Sequence, residues 1–322
     1  MSRRLVQTLC AYSLAIAIIC YLARGITPAQ LLHNFSMANL WVFVPASAGS
    51  FTIWFGGETL LFATLFSYFN ARISFREMLP ANAAQYFLQL VNSALGGTAM
   101  VMFMNRRKGV PWLTGGCTLI FQALLDFQIM AAMALIAAVL DPGSIIHHYW
   151  YYPAAVLAPL LLNTWFWMRG RPRSRLGRWY YERPSMQSFR LAQPVHYVRL
   201  TGIRMTIFLT YGLMLYFQIR GFRVKVHPAE VFAFLPAVLF FDGLPFTPVG
   251  LGPLQAAIVT GFRAYASPAR LLALALSISF MQIAFQAPLG LGSAGAFARE
   301  VADAAARGLM RDDPASPRPV EL

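Results

Sequence analysis

The densest cluster of chain-breaking residues is Asp242-Gly243-Leu244-Pro245-Phe246-Thr247-Pro248-Val249-Gly250-Leu251-Gly252-Pro253-Leu254-Gln255, with three prolines and three glycines in fourteen residues. No continuous helix runs through such a stretch. Its apolar surroundings put the break at or within a membrane. Unwound chain there exposes N–H and C=O groups that can bind a polar headgroup. A helix starting near Pro253 would aim its positive end at an anion. The same residues would also serve as an ordinary interfacial loop joining two helices.

Acidic residues inside apolar runs are the next candidates, because burying a charge in lipid is expensive. Asp126 and Asp242 stand first. Asp126 could pair with Arg106 or Arg107, or with a cation on a substrate. Asp242 could instead cap the break that follows it. Glu58 follows Gly56-Gly57 and could cap the second half of a kinked helix or line a cavity. Glu230, two residues after Pro228, reads as a first-turn acid at a helix N-terminus.

Other chemistries leave no mark. His147-His148 lies beside an aromatic run and reads as interfacial rather than metal-binding. The chain has no His-Glu-x-x-His, Cys-x-x-Cys, Walker or Gly-x-Ser-x-Gly motif. Cys10, Cys20 and Cys117 sit in apolar runs without paired spacing, as small buried hydrophobes do. No cofactor or metal is expected.

The elements that must position these residues are membrane helices. Hydrophobic residues make up 58% of the chain and charged ones 12%, half the roughly 25% that a soluble domain carries. That is too little charge to cover a soluble surface. Continuous runs near the roughly 20 residues needed to cross hydrocarbon favour helices over a β-barrel. The runs are Leu5–Ala23, Leu40–Phe69, Leu113–Leu140, Tyr152–Met168, Met205–Gln218 and Leu271–Leu291. Ala81–Met104 and Pro228–Arg263 are hydrophobic but broken. Basic groups flank the first of these at Arg72, Arg76 and Arg106-Arg107-Lys108, which favours a re-entrant hairpin with both ends on one side. Each broken segment leads through a basic, proline-containing connection into a strongly apolar helix. Interrupted segments in matching positions point to a transport site.

The net charge is +14, and all basic residues but Lys108 and Lys225 are Arg. No nucleic-acid module accompanies this charge, so it is read as membrane anchoring and attraction to anionic headgroups. It concentrates in Arg169–Arg204, with nine arginines against Glu182. A short interfacial helix is expected there around Trp179–Tyr181. The loop Asp141–Trp150 has no Lys or Arg, and Tyr149 to Tyr152 form an aromatic belt.

The stretch Leu244–Gln255 resembles the Pro-x-x-Pro-x-Gly-x-Gly motif of the flippase-like domain shared by lysylphosphatidylglycerol synthase and the UPF0104 membrane proteins. Where that family usually carries Glu, this chain has Gln255. Asn92, Gly96-Gly97 and Arg106-Arg107 resemble the family's Asn…Gly…Arg region, without its usual Pro-Gly. Asp126 sits where the family places an acid in the next helix. The resemblance covers most of Ala81–Leu291. It implies a helical bundle with re-entrant segments around a central cavity, which in the best-known relatives moves an aminoacylated phospholipid between leaflets. Those relatives carry a soluble transferase domain after the bundle. Only about thirty residues follow it in this sequence, which is read as lacking that domain.

The expected protein is therefore an all-α integral membrane protein with about six transmembrane helices, two broken or re-entrant segments, and an arrangement open to an inverted repeat. Residues 1–168 form the first half, 169–204 an Arg-rich cytoplasmic loop, 205–298 the second half and 299–322 a polar tail. Both termini are expected on the cytoplasmic side of a bacterial inner membrane. The substrate-binding residues expected are Asn92, Gly96, Gly97, Arg106, Arg107, Asp126, Asp242, Pro245, Pro248, Gly250, Gly252 and Gln255. The function read from them is movement of an amphiphilic or lipid-linked substrate between leaflets. The alternatives are a membrane-embedded enzyme or a non-catalytic partner of a lipid-synthesis enzyme, each acting on lipid headgroups.

Overall fold

Thirteen α-helices are described, and their packing follows from two long apolar helices that cross antiparallel. The structure, a computed structural model, describes residues 3–91, 93–140, 148, 150–170, 175–243 and 251–306. The helices are α1 (Arg3–Leu22), α2 (Pro28–Ser36), α3 (Leu40–Phe69), α4 (Phe75–Val91), α5 (Ser93–Lys108), α6 (Trp112–Leu140) and α7 (Tyr151–Met168). They continue as α8 (Arg175–Tyr181), α9 (Gln187–Leu191), α10 (Pro194–Gly221), α11 (Pro228–Asp242), α12 (Pro253–Gly261) and α13 (Pro268–Ala306). No strand occurs among the described residues, and the protein is an all-helical membrane protein. Among them, α3, α6, α10 and the Pro268–Leu289 part of α13 are long and apolar enough to cross a bilayer. The other two expected spans fall on α1 and α7.

Helices α3 and α10 form the spine. Asn39 N–H donates to the Gly221 carbonyl at one end, Gln218 bonds Ser47 further in, and Tyr68 stacks on His196 at the other end. Residue numbers rise along one helix as they fall along the other, so the pair is antiparallel throughout. Small residues let the backbones approach. A Cβ on Gly221 would lie 3.0 Å from Phe43 Cβ, and one on Gly57 would lie 2.5 Å from Ile207 Cγ1. Leu61, Leu65 and Phe66 of α3 and Leu200, Phe208 and Leu215 of α10 belong to one buried core.

After each spine helix comes a helical hairpin, then a long apolar helix. Helices α4 and α5 are the first hairpin, each about 25 Å long at 1.5 Å per residue, too short to cross with ease. Lys108 Nζ meets Glu77 Oε1 at 2.9 Å, which ties the end of α5 to the start of α4. The Ser74 N–H and the Lys108 ammonium hold the Glu77 carboxyl down to about 2. Ala81–Met104 thus lies within a helical hairpin that runs from Phe75 to Lys108. A Cβ on Gly96 would lie 2.5 Å from Gln89 Cγ, so this glycine is what lets α5 lie against α4. Helices α11 and α12 are the second hairpin, joined by Phe234 and Phe262 with ring centroids 5.6 Å apart. Glu230 accepts from the His227 N–H at 3.0 Å, the first-turn role its position implies.

Because α3 and α10 are antiparallel, the two hairpins open at opposite ends of the bundle. Their partners are exchanged in the same way: α6 packs on α11, and α13 packs on α4. The helix–hairpin–helix order therefore occurs twice, inverted, around the α3–α10 pair.

Three expectations need correction. Leu40–Phe69 is one continuous helix despite Pro45 and Gly56-Gly57, so Glu58 caps nothing. The Arg-rich connection ends at Gln193 rather than Arg204, because Pro194 starts α10 in the first-turn position where its missing N–H costs nothing. That connection also contains α8 over the expected Trp179–Tyr181 region, and Ser188 of α9 bonds Thr118 in α6. Finally, α13 carries on to Ala306, past the expected start of the tail.

Candidate functional site

Two carboxylates of the bundle interior, Glu58 and Asp126, converge on one arginine. Arg204 projects from α10 with its side chain only 6% exposed. It forms a two-point contact with Asp126 of α6, with Nε to Oδ1 at 2.7 Å and Nη2 to Oδ2 at 2.6 Å. Its Nη1 reaches Glu58 Oε1 of α3 at 3.4 Å. Tyr86 of α4 donates to the other Glu58 oxygen at 2.8 Å, and Gln122 donates to Asp126 at 3.2 Å. The guanidinium carbon lies 4.7 Å from the Phe208 ring centroid and 5.2 Å from that of Trp54. A planar guanidinium suits this combination of a carboxylate fork and aromatic faces.

Counting 1.5 Å per residue along each helix, Glu58, Tyr86, Asp126 and Arg204 lie about 15 to 21 Å from the end where the first hairpin opens. That is mid-depth in roughly 30 Å of hydrocarbon. Asp242, the last residue of α11, is brought to the same level from the opposite end. Its Oδ1 is buried and has no hydrogen-bond partner among the described residues.

Two small chambers, each with a few polar groups in a largely apolar wall, meet at Asp242 and Trp54, which line both. The inner chamber, about 50 Å³, is walled by Ser47, Ser50, Tyr86, Tyr211, Gln218 and Gln286 among others. The ion-pair chamber, about 170 Å³, holds Asp126 and Arg204. Phe127, Met130 and Phe240 line this second chamber and also a larger apolar groove of about 740 Å³ between α6, α7 and α11. The ion-pair chamber and the apolar groove therefore adjoin, with Phe127, Met130 and Phe240 as their common wall.

The expected site residues separate into groups. Asp126 and Asp242 come together in the ion-pair chamber. Asp126 takes Arg204 as its partner, not Arg106 or Arg107, which are exposed at the far end of α5. Gly96 and Gly97 pack the first hairpin, against α4 and against Leu119 of α6. Gly252 has φ +95°, and a Cβ there would lie 3.1 Å from the Ala15 backbone, so it seats α1. Gln255 is fully buried and caps α12: it accepts from the Gly252 N–H at 2.5 Å and donates to Ser279 of α13 at 2.8 Å. Both ends of its amide are thus used within the fold. Asn92, Pro245, Pro248 and Gly250 lie outside the described residues.

Arg204, Tyr86, Gln218 and Gln286 were not among the expected site residues. For Arg204 a signal existed: Gln193-Pro194 marks a helix start, and the apolar spacing of Leu200, Ile203 and Ile207 places Arg204 on the buried side of that helix.

The family model described as "Lysylphosphatidylglycerol synthase TM region" matches residues 8–290, from α1 through both hairpins to the last long helix. No curated protein matches the chain.

Proposed function

The chain belongs to the lysylphosphatidylglycerol synthase TM-region family, and on that premise we propose that it moves an amphiphilic lipid, or a lipid-linked substrate, between leaflets. One observation carries this reading: the mid-depth ion-pair chamber adjoins a groove with apolar walls, and Phe127, Met130 and Phe240 line both. A polar headgroup fits the first space and an acyl chain the second, so a single molecule can occupy both without exposing either part to the wrong solvent. Two hairpins reaching mid-depth from opposite ends support alternating access to that point.

In this reading the arginine-rich connection and the first hairpin's basic mouth, which share one end of the bundle, face the cytoplasm of a bacterial inner membrane. The termini lie on that side as well. The arginines gather anionic lipid at the surface, and a lipid-synthesis enzyme is the natural partner to supply or consume the substrate.

The test is reconstitution of the purified chain into vesicles with fluorescent phospholipids, read by a quencher that does not cross the bilayer. Wild type should expose inner-leaflet label faster than empty vesicles. Ala134→Trp, which fills the groove and leaves every charged residue in place, should slow this several-fold. Vesicles as inert as protein-free ones, across anionic, zwitterionic and aminoacylated lipids, would overturn the proposal. Chemically altered lipid recovered from the same vesicles would favour the enzyme.

A further inference from the structure

We infer that the inner chamber is a site for one small monovalent cation, sodium or a proton, bound between Asp242, Gln218 and Gln286. Three oxygen acceptors carry the inference: Asp242 Oδ1, Gln218 Oε1 and Gln286 Oε1. Each is buried with no hydrogen-bond partner among the described residues. All three residues line the same chamber of about 50 Å³. Gln218 and Gln286 are 3% and 2% exposed, so bulk water does not satisfy them. The Gln218 amide nitrogen already donates to Ser47 Oγ at 3.1 Å, which leaves its oxygen as the free end. Buried acceptors without donors are costly and rare, and three of them on residues that line one small chamber describe a site for something positive.

Charge points the same way. Glu58 and Asp126 share Arg204, whereas Asp242 shares no cation among the described residues. Three carboxylates against one guanidinium leave the bundle interior short of positive charge, at a depth where charge is expensive. Asp242 also ends α11, at the negative pole of a half-length helix, which adds to the deficit. Helix ends of this kind coordinate sodium or protons in membrane transporters. An anion here would meet the Asp242 carboxylate and two amide oxygens, with no cation among the described residues to offset them. A divalent ion would want more carboxylates, and among the described residues no group of three or more His, Cys, Asp or Glu is set to hold a metal. One carboxylate with two amide oxygens, and the Ser50 and Tyr211 hydroxyls on the same wall, matches a single positive charge.

The titratable and charged groups facing Asp242 from the helices around it are Glu58 of α3, Tyr86 of α4, Asp126 of α6, and Arg204 and Tyr211 of α10. None of them is a second cation free to serve it. The site stands whether or not lipid moves; if it does, the cation is what transport would be coupled to.

The experiment is thermal unfolding of the full chain in detergent at constant ionic strength, exchanging choline chloride for NaCl with KCl as the control. A parallel series without sodium runs from about pH 8 to about pH 6. With sodium, the Tm should rise saturably by at least about 2 °C. If the proton is the occupant, the Tm should instead rise as pH falls, because the folded chain would bind it more tightly than the unfolded one. Asp242→Asn is nearly isosteric and should abolish whichever response is seen. Should that variant fail to fold, Gln286→Met should weaken the sodium response or shift the proton response to lower pH. A Tm indifferent to both ions, or responses unchanged in these variants, would overturn the site. So would stabilisation by added amine-bearing lipid alone, which would assign the three oxygens to the substrate. No lipid movement enters this readout, so the site and the transport proposal can fail separately.

Discussion

Arg204 is the single positive charge between two buried carboxylates, so its removal leaves Glu58 and Asp126 facing each other uncompensated. Arg204→Gln should destabilise the fold by about 3–5 kcal/mol, the usual cost of breaking a buried pair from one side. Thermal or denaturant unfolding in detergent measures it. Adding Asp126→Asn to Arg204→Gln should recover part of the loss, with a coupling of about 0.5–3 kcal/mol. Additive losses would mean that the two side chains do not act as a unit. At this scale the sequence is half legible. An acid in the middle of an apolar run identifies itself, which is why Asp126 stands out. Its counter-ion does not, because Arg204 follows eight other arginines in a basic segment and looks like one more of them. Only the Pro194 helix start separates it from that surface population.

At the scale of elements, the α3–α10 seam depends on what is absent from glycine. A methyl group on Gly57 would sit 2.5 Å from Ile207 Cγ1 and 2.8 Å from its Cδ1. Gly57→Ala should therefore cost about 1–3 kcal/mol through overpacking, seen as a lowered Tm. The double variant Gly57→Ala with Ile207→Ala should be less affected by the added methyl than wild type is. An unshifted Tm for Gly57→Ala alone would show the seam to be looser than described. Helix existence was well signalled by the apolar runs, and the first hairpin by its flanking basic residues. What the sequence concealed was the continuity of α3. Pro45 and Gly56-Gly57 break helices in water, but tight packing against α10 and the shortage of alternative hydrogen-bond partners in lipid keep this one whole. Gln255 misled in a similar way. It sits in a motif, yet its amide is consumed in capping α12 and tethering α13.

At the scale of the whole molecule, the antiparallel spine fixes where each hairpin opens. With Cys10, Cys20 and Cys117 replaced by Ala, a cysteine at Arg106 and one at Lys225 should be labelled from opposite sides of the membrane by an impermeant maleimide. Labelling of both from one side would contradict the inverted arrangement. Composition alone established the membrane class, and the two interrupted segments hinted at the repeat. The exchange of partners, α6 with the second hairpin and α13 with the first, is a long-range property that no local pattern encodes.

The seat of α1 on Gly252 has a consequence for biosynthesis. Ala15 and Ile18 rest on Gly252, so α1 cannot dock there until the much later α12 has been made. Until then its partner face meets lipid or an insertion chaperone, and a stalled or truncated chain would leave it there. Docking of α1 is thus a long-range step, set by the arrival of α12 rather than by the segments next to α1 in sequence.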